Sequence, residues 1–150
     1  MNKHFVIDPN GQKHTRNSKS RRYTHAVLVR ECEIWALEQA RKFGAWKVHA
    51  SNWKYDCEKA AQGDAHPHAA YMSEEQWVES RRVAALTLEE YRQEQTDFAI
   101  AHWEKRKAAG EFKEYGVVGW CGRPDLAQKL HFQQDTARYA DIITLEAEVL

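Results

Sequence analysis

Residues 21–31, RRYTHAVLVRE, decide how the chain folds. From Tyr23 the side chains alternate across an extended backbone. Tyr23, His25, Val27 and Val29 take one face, and Thr24, Ala26 and Leu28 take the other. From Ala26 onward both faces are apolar. That is the pattern of a strand covered on both sides, and so of one near the centre of a sheet. Arginines bracket the stretch and His25 interrupts it, which raises the question of whether it is only core.

Upstream, HFVIDPNGQKHT (4–15) reads as a hairpin. Pro9 presets φ for the first corner of an Asp8–Gly11 turn, and Asn10 and Gly11 tolerate left-handed backbone. The strands are Phe5–Ile7 and a polar partner over Lys13–Ser18. Downstream, 31–43 is a helix by its apolar arc of Ile34, Ala36, Leu37, Ala40 and Phe43, with Gly44 as its stop. Residues 45–53 suggest a short strand, and 54–72 a long loop with a helical turn. Ser73 with Gln76 and Thr87 with Glu90 are capping boxes, which predict helices over 74–85 and 88–109. The second is amphipathic through Leu88, Tyr91, Phe98 and His102. Val117–Trp120 is a strand, Pro124 opens a helix running to about Tyr139, and 141–149 closes as a strand. If those last two strands share a sheet, they should run parallel. The expected fold is a single α+β domain over 1–150. Its mixed sheet has four or five strands: the hairpin, the 23–30 strand and the C-terminal strands. Three or four helices pack on it.

Composition narrows the function classes. Leu, Ile, Val and Phe make up 27 of the 150 residues, a thin aliphatic supply, but six Trp and six Tyr supplement it. The formal net charge is zero and the mean hydropathy is −0.78, so a folded domain with a very polar surface is expected. Residues 1–20 hold no apolar run, and no stretch approaches the ~18 residues of a membrane span. Cys32, Cys57 and Cys121 are an odd number without a C-x-x-C, which argues against a disulfide framework or a zinc finger and for a reducing cytosol. Charge is unevenly placed. Residues 1–22 carry six basic side chains against Asp8 alone, and the last ten carry Asp141, Glu146 and Glu148 with no base.

Several groups are candidates for chemistry. His25, near Arg22, has the range of a general base or a phosphate-orienting group. In GWCGRPDLA (119–127) a strand ends, Gly122 turns the chain and a helix begins. There Arg123 has the fork for an anion at the helix N-terminus, and Cys121 would be reactive if its pKa were lowered. That turn lacks both the dinucleotide glycine fingerprint and the P-loop signature. Asp64, His66 and His68 alternate in a loop with the donor types of a metal site, although no metal or other cofactor is assigned. Lys13, Arg16, Lys19, Arg21 and Arg22 make a basic head on the hairpin, beside Tyr23 with its stacking ring. The helices over 73–109 have aromatic and basic residues suited to a protein contact.

Two stretches carry a resemblance: Arg22-x-Thr24-His25-Ala26-Val27 behind DPNGQKHTR (8–16), and GWCGRPDLAQK (119–129) with the helix and strand that follow. Both resemble small uncharacterised accessory proteins of bacterial phages and plasmids. Residues 45–110 carry no such resemblance. It implies a protein of the bacterial cytosol that binds and blocks a host factor, a defence system among them. It implies no catalytic residue. The leading expectation is therefore a non-enzymatic interaction protein that binds a host protein or complex. Its contact residues would be Lys13, Arg16, Arg21, Arg22, Tyr23, His25 and Arg123, with the exposed part of the 73–109 helices. The second is a nucleic-acid or nucleotide binder using the hairpin and Arg123, and the third a small enzyme using His25 or Cys121.

Overall fold

The structure, a computed structural model, describes residues 1–46 and 48–150, and the side chains of all of these except 45 and 46. The chain is α+β and divides into two compact units. One comprises Met1–Ala36 and Lys105–Leu150 and contains the strands. The other, Leu37–Glu104, is helical.

In the strand-rich unit, β1 (Asn2–Ile7) and β2 (Lys13–Ser18) form the expected hairpin, with His4 opposite Arg16. The Gly11 N–H donates to the Asp8 carbonyl at 2.9 Å, and Gly11 has φ +83°, a conformation glycine adopts without a Cβ penalty. The buried Asp8 carboxylate locks the turn. It accepts the N–H groups of Asn10 (2.8 Å) and Gln12 (3.0 Å) and pairs with His14 Nε2 (2.8 Å).

The 21–31 stretch does occupy a centre. β3 (His25–Glu31) lies between β4 (Gly116–Cys121) and β5 (Tyr139–Glu146), antiparallel to both. Ala26, Val27 and Leu28 are fully buried. Ala26 and Leu28 meet Val6, Val117, Trp120, Ile143 and Leu145 on one face. Val27 meets Cys121, Ala127, Leu130 and Ile142 on the other, where α5 (Pro124–Phe132) packs. Burying a side chain the size of Val27 or Leu28 stabilises by about 1.5–3 kcal/mol. The β3–β4 register shifts between Val27 and Leu28, which leaves Val118 as an extra residue, a bulge on β4.

The single mixed sheet is not what forms. Among the described residues there are two three-stranded sheets, ordered β2-β1-β6 and β4-β3-β5, and every pairing in them is antiparallel. Here β6 is Glu148–Val149. The split occurs at Ala147, whose N–H donates to the Thr24 carbonyl at 2.8 Å. Before it the chain pairs with β3; after it the chain pairs with β1. β4 and β5 do run parallel to each other, with β3 between them. α5 ends at Phe132 rather than near 139. Asp135 Oδ1 accepts the Ala137 N–H at 2.8 Å, and this Asx turn competes with further helix.

Among the described residues there are five α-helices, one more than the upper expectation. The first is α1 (Glu33–Trp46), and the additional one is α2 (Ala50–Gln62), where a short strand and a loop were expected. Lys47, within the expected strand, lies outside the described residues. α2 has no side-chain cap at His49 and no buried residue, so neither start signal nor apolar stripe marks it. What holds it is specific. Trp53 Nε1 donates to the Leu86 carbonyl at 3.0 Å, and Ser80 donates to Asp56 at 3.4 Å from α3 (Glu74–Ala84). Both capping boxes form, at Ser73–Gln76 and Thr87–Glu90, the latter opening α4 (Leu88–Ala108). Arg82 ties α3 to α4 through Glu94 (2.6 Å) and pairs within α3 with Glu79 (2.7 Å). Gly44 of α1 lies directly against the Thr96 main chain of α4.

Candidate functional site

The basic head resolves into parts with different surroundings. Arg16 is exposed on β2 directly across from His4, and so shares that face of the hairpin. Arg21 follows in the loop to β3, its backbone N–H donating to Ser18 Oγ at 2.8 Å. Tyr23 is half-buried. Its backbone N–H donates to His4 Nε2 at 3.1 Å, and its ring meets His4 edge-on at 5.2 Å and Trp120 at 6.2 Å. His4 is fully buried. Because its Nε2 accepts, a neutral ring carries its proton on Nδ1, which has no partner. A row of three rings thus runs from the hairpin into the second sheet.

Arg16, Arg21 and Tyr23 line one groove of about 380 Å³ together with Val117, Val118, Gly119 and Trp120. Four consecutive residues of β4 form one wall. Among the described residues neither guanidinium has an ion-pair or hydrogen-bond partner. By contrast Arg106 is gripped by Glu31 (2.5 Å) and Glu111 (2.7 Å), which holds its pKa above the ordinary value. Trp120 and the β4 wall are the part that sequence reasoning missed. The stretch reads as a strand, but nothing in its composition says that its outer edge borders the basic loop.

The remaining residues fall elsewhere. Arg22 and His25 line a second cavity of about 390 Å³, which shares Tyr23 with the first and includes Thr24 and Glu146. His25 Nδ1 bonds Thr24 Oγ1 at 2.8 Å. Lys13 stands with Nζ 4.3 Å over the Phe5 ring and lines neither cavity. Arg123 occupies the N-cap of α5 without a side-chain cap bond, and its Nε pairs with Asp125 at 3.3 Å in the open. Gly122 has ordinary φ, so left-handed backbone is not the reason for it. A Cβ there would stand 3.2 Å from the Arg22 carbonyl, so close approach is. Cys121 is buried, and burial pushes its thiol pKa up, the opposite of what a reactive cysteine needs.

The helical unit has a groove of about 610 Å³ lined by Tyr55, Asp56, Lys59, His68, Tyr71 and Glu79 among others. Its charges are largely engaged with each other. Asp56 pairs with Lys59 at 3.1 Å, Glu79 pairs with Arg82, and Tyr55 bonds His68. His66 is buried, its Nδ1 accepting the His68 N–H at 3.1 Å. Among the described residues no group of three His, Cys, Asp or Glu side chains is placed to hold a metal ion. On the helices Val78 (55 % exposed) and Phe98 (60 %) face solvent, so the expected α4 arc is not a buried one. Among the described residues no helix is long and apolar enough to cross a membrane.

The groove at Arg16 and Arg21 is the best-founded site. It joins two unpaired guanidinium groups, two aromatic rings and a strand edge. Arginine binds anionic partners through a fixed fork, and Tyr and Trp supply large rigid contact area. No family model, curated protein or solved structure matches the chain.

Proposed function

We propose that the chain is a non-enzymatic interaction protein of a bacterial mobile element, working in the host cytosol by binding and modulating a host protein, a defence component among the candidates. The observation that carries the contact surface is the groove in which unpaired Arg16 and Arg21 flank Tyr23 and Trp120. Aromatic and arginine side chains of this kind anchor protein interfaces, and their charge steers an acidic partner. The origin in a mobile element rests on the resemblance of 8–16 with 22–27, and of 119–129 with the helix and strand that follow. A second reading, single-stranded nucleic acid, has support from the same rings and arginines, since bases stack on aromatic faces beside a basic groove.

The test is capture from bacterial lysate, with and without nuclease, comparing the native chain with R16A/R21A. A stoichiometric protein that survives nuclease and is lost with the double variant, at unchanged melting temperature, supports the reading. Loss with nuclease transfers it to nucleic acid. Equal capture by both chains removes the groove from the contact surface.

A further inference from the structure

We infer that the outer edge of β4 receives an extended acidic segment of the partner protein as an added strand. The inference rests on the interaction reading and names how the contact is made. β4 is the terminal strand of its sheet, with β3 on its inner side and, among the described residues, no strand on its outer side. An edge strand turns a row of unpaired N–H and C=O groups outward, and proteins ordinarily blunt such an edge with charge, proline, a β-bulge or a covering element. Gly116–Cys121 carries the bulge at Val118 but no proline and no charged side chain. Val117–Trp120 of this strand line the groove as one continuous wall. Four residues at ~3.3 Å rise span about 10–13 Å, enough for a short strand to lie alongside.

The chemistry of the occupant follows from the sides of that groove. Trp120 sits opposite Ala26 and Val117 opposite Leu28, so both belong to the sheet face that packs toward β1. Arg16 and Arg21 line the groove with them, and the opposite sheet face is covered by α5. Side chains of an added strand alternate between the two faces. Every second residue of the incoming segment would therefore meet Arg16, Arg21 and the Tyr23 and Trp120 rings. Carboxylates at those positions match the two unpaired guanidinium groups, and the intervening positions are free of that demand. Main-chain bonds then supply affinity and the alternate carboxylates supply specificity, as in other strand-addition sites. A second copy of this chain is a poor occupant. Its own β4 edge would bring Arg16 and Arg21 against their counterparts.

The probe is the fluorescein-labelled peptide Glu-Val-Glu-Thr-Glu-Val, with two versions N-methylated at odd or at even residues. Titration into the full chain is read by anisotropy, and β4 amide exchange by NMR. Strand addition needs the peptide's own N–H groups on one side only. We expect one methylated register to bind at least about tenfold more weakly and the other within about twofold. We also expect slowed exchange of outward β4 amides, and at least a tenfold loss with R16A/R21A. Equal binding by both registers, or unchanged β4 exchange, overturns the added strand. Displacement of the peptide by a ten-residue oligothymidylate that binds more tightly overturns the acidic-protein occupant. If no peptide binds yet lysate capture still depends on Arg16 and Arg21, strand addition falls and the interaction reading stands. If neither depends on them, both fall.

Discussion

Gly44→Ala isolates one close helix contact in the helical unit. A Cβ on Gly44 would lie 2.4 Å from Thr96 Cα, 2.8 Å from Thr96 N and 3.0 Å from the Gln95 carbonyl. Carbon atoms in contact settle at about 3.5–4.0 Å, so α1 and α4 must part by roughly 1 Å where they touch. All three obstacles are main-chain atoms, and no rotamer change removes them. Overpacking costs about 1–3 kcal/mol, and unyielding main-chain obstacles put this site at the upper end, about 2–3 kcal/mol. Alanine returns about 1 kcal/mol of helix propensity over glycine. The balance is a loss of about 1–2 kcal/mol, which at 2–4 °C per kcal/mol for a chain of this size lowers Tm by about 2–8 °C. Thermal melts by far-UV circular dichroism read this directly, with urea denaturation as a check. Thr96→Ala in the same chain should not rescue it, because the Thr96 side chain is not the obstacle. A Tm equal to or above that of the native chain would refute the contact.

Other consequences are open to equally direct measurement. Burial pushes the Asp8 carboxyl up, but the His14 hydrogen bond and the Gln12 and Asn10 N–H groups outweigh it, and its pKa lies below the ordinary value of about 3.8. Its contribution is therefore present above that value and is lost as pH falls through the lower folded one. Asp8→Ala should lower Tm at neutral pH and flatten the acid limb of a Tm–pH series. Arg82→Met removes a half-exposed link to Glu79 and Glu94, and the loss should stay within about 1 kcal/mol and shrink in high salt. Thiol titration of the native chain should modify half-buried Cys32 and Cys57 first, with Cys121 reacting at the same rate only in denaturant.

Legibility in the sequence followed where local physics decides. The Asp8–Gly11 turn, the alternation of 25–29 and the two capping boxes each depend on residues within a few positions, and each forms as read. α2 does not announce itself, because its support is a tryptophan N–H reaching Leu86 and a carboxylate meeting Ser80, both more than twenty residues away. The division into two sheets is equally remote from any local signal. It turns on Ala147 changing partner from β3 to β1. Of the site residues, Arg16, Arg21 and Tyr23 were visible from charge and aromatic content. Trp120 and the β4 wall were not, since only the tertiary pairing decides which strand is left with an open edge. Whether Cys121 is reactive was left open by the sequence for the same reason: its burial comes from β3 and α5.

The strand pairing also sets an order of events during synthesis. Residues 37–104 form a continuous segment, and every residue of the helical unit exists before the second half of the strand-rich unit has been made. β3 is in the opposite position. It is the most deeply buried strand, yet β4 begins at residue 116 and β5 closes at 146. At ~5–20 residues per second, the wait from the end of β3 to the end of β5 is about 6–23 s. Until residue 121 is made Ala26–Val29 has neither of its sheet neighbours, until 132 it lacks the α5 side of its core, and for the whole interval it lacks a complete β5, while the polar β2 hairpin is already complete. A nascent chain in this state exposes an apolar strand with two open edges, the kind of surface on which incomplete chains aggregate.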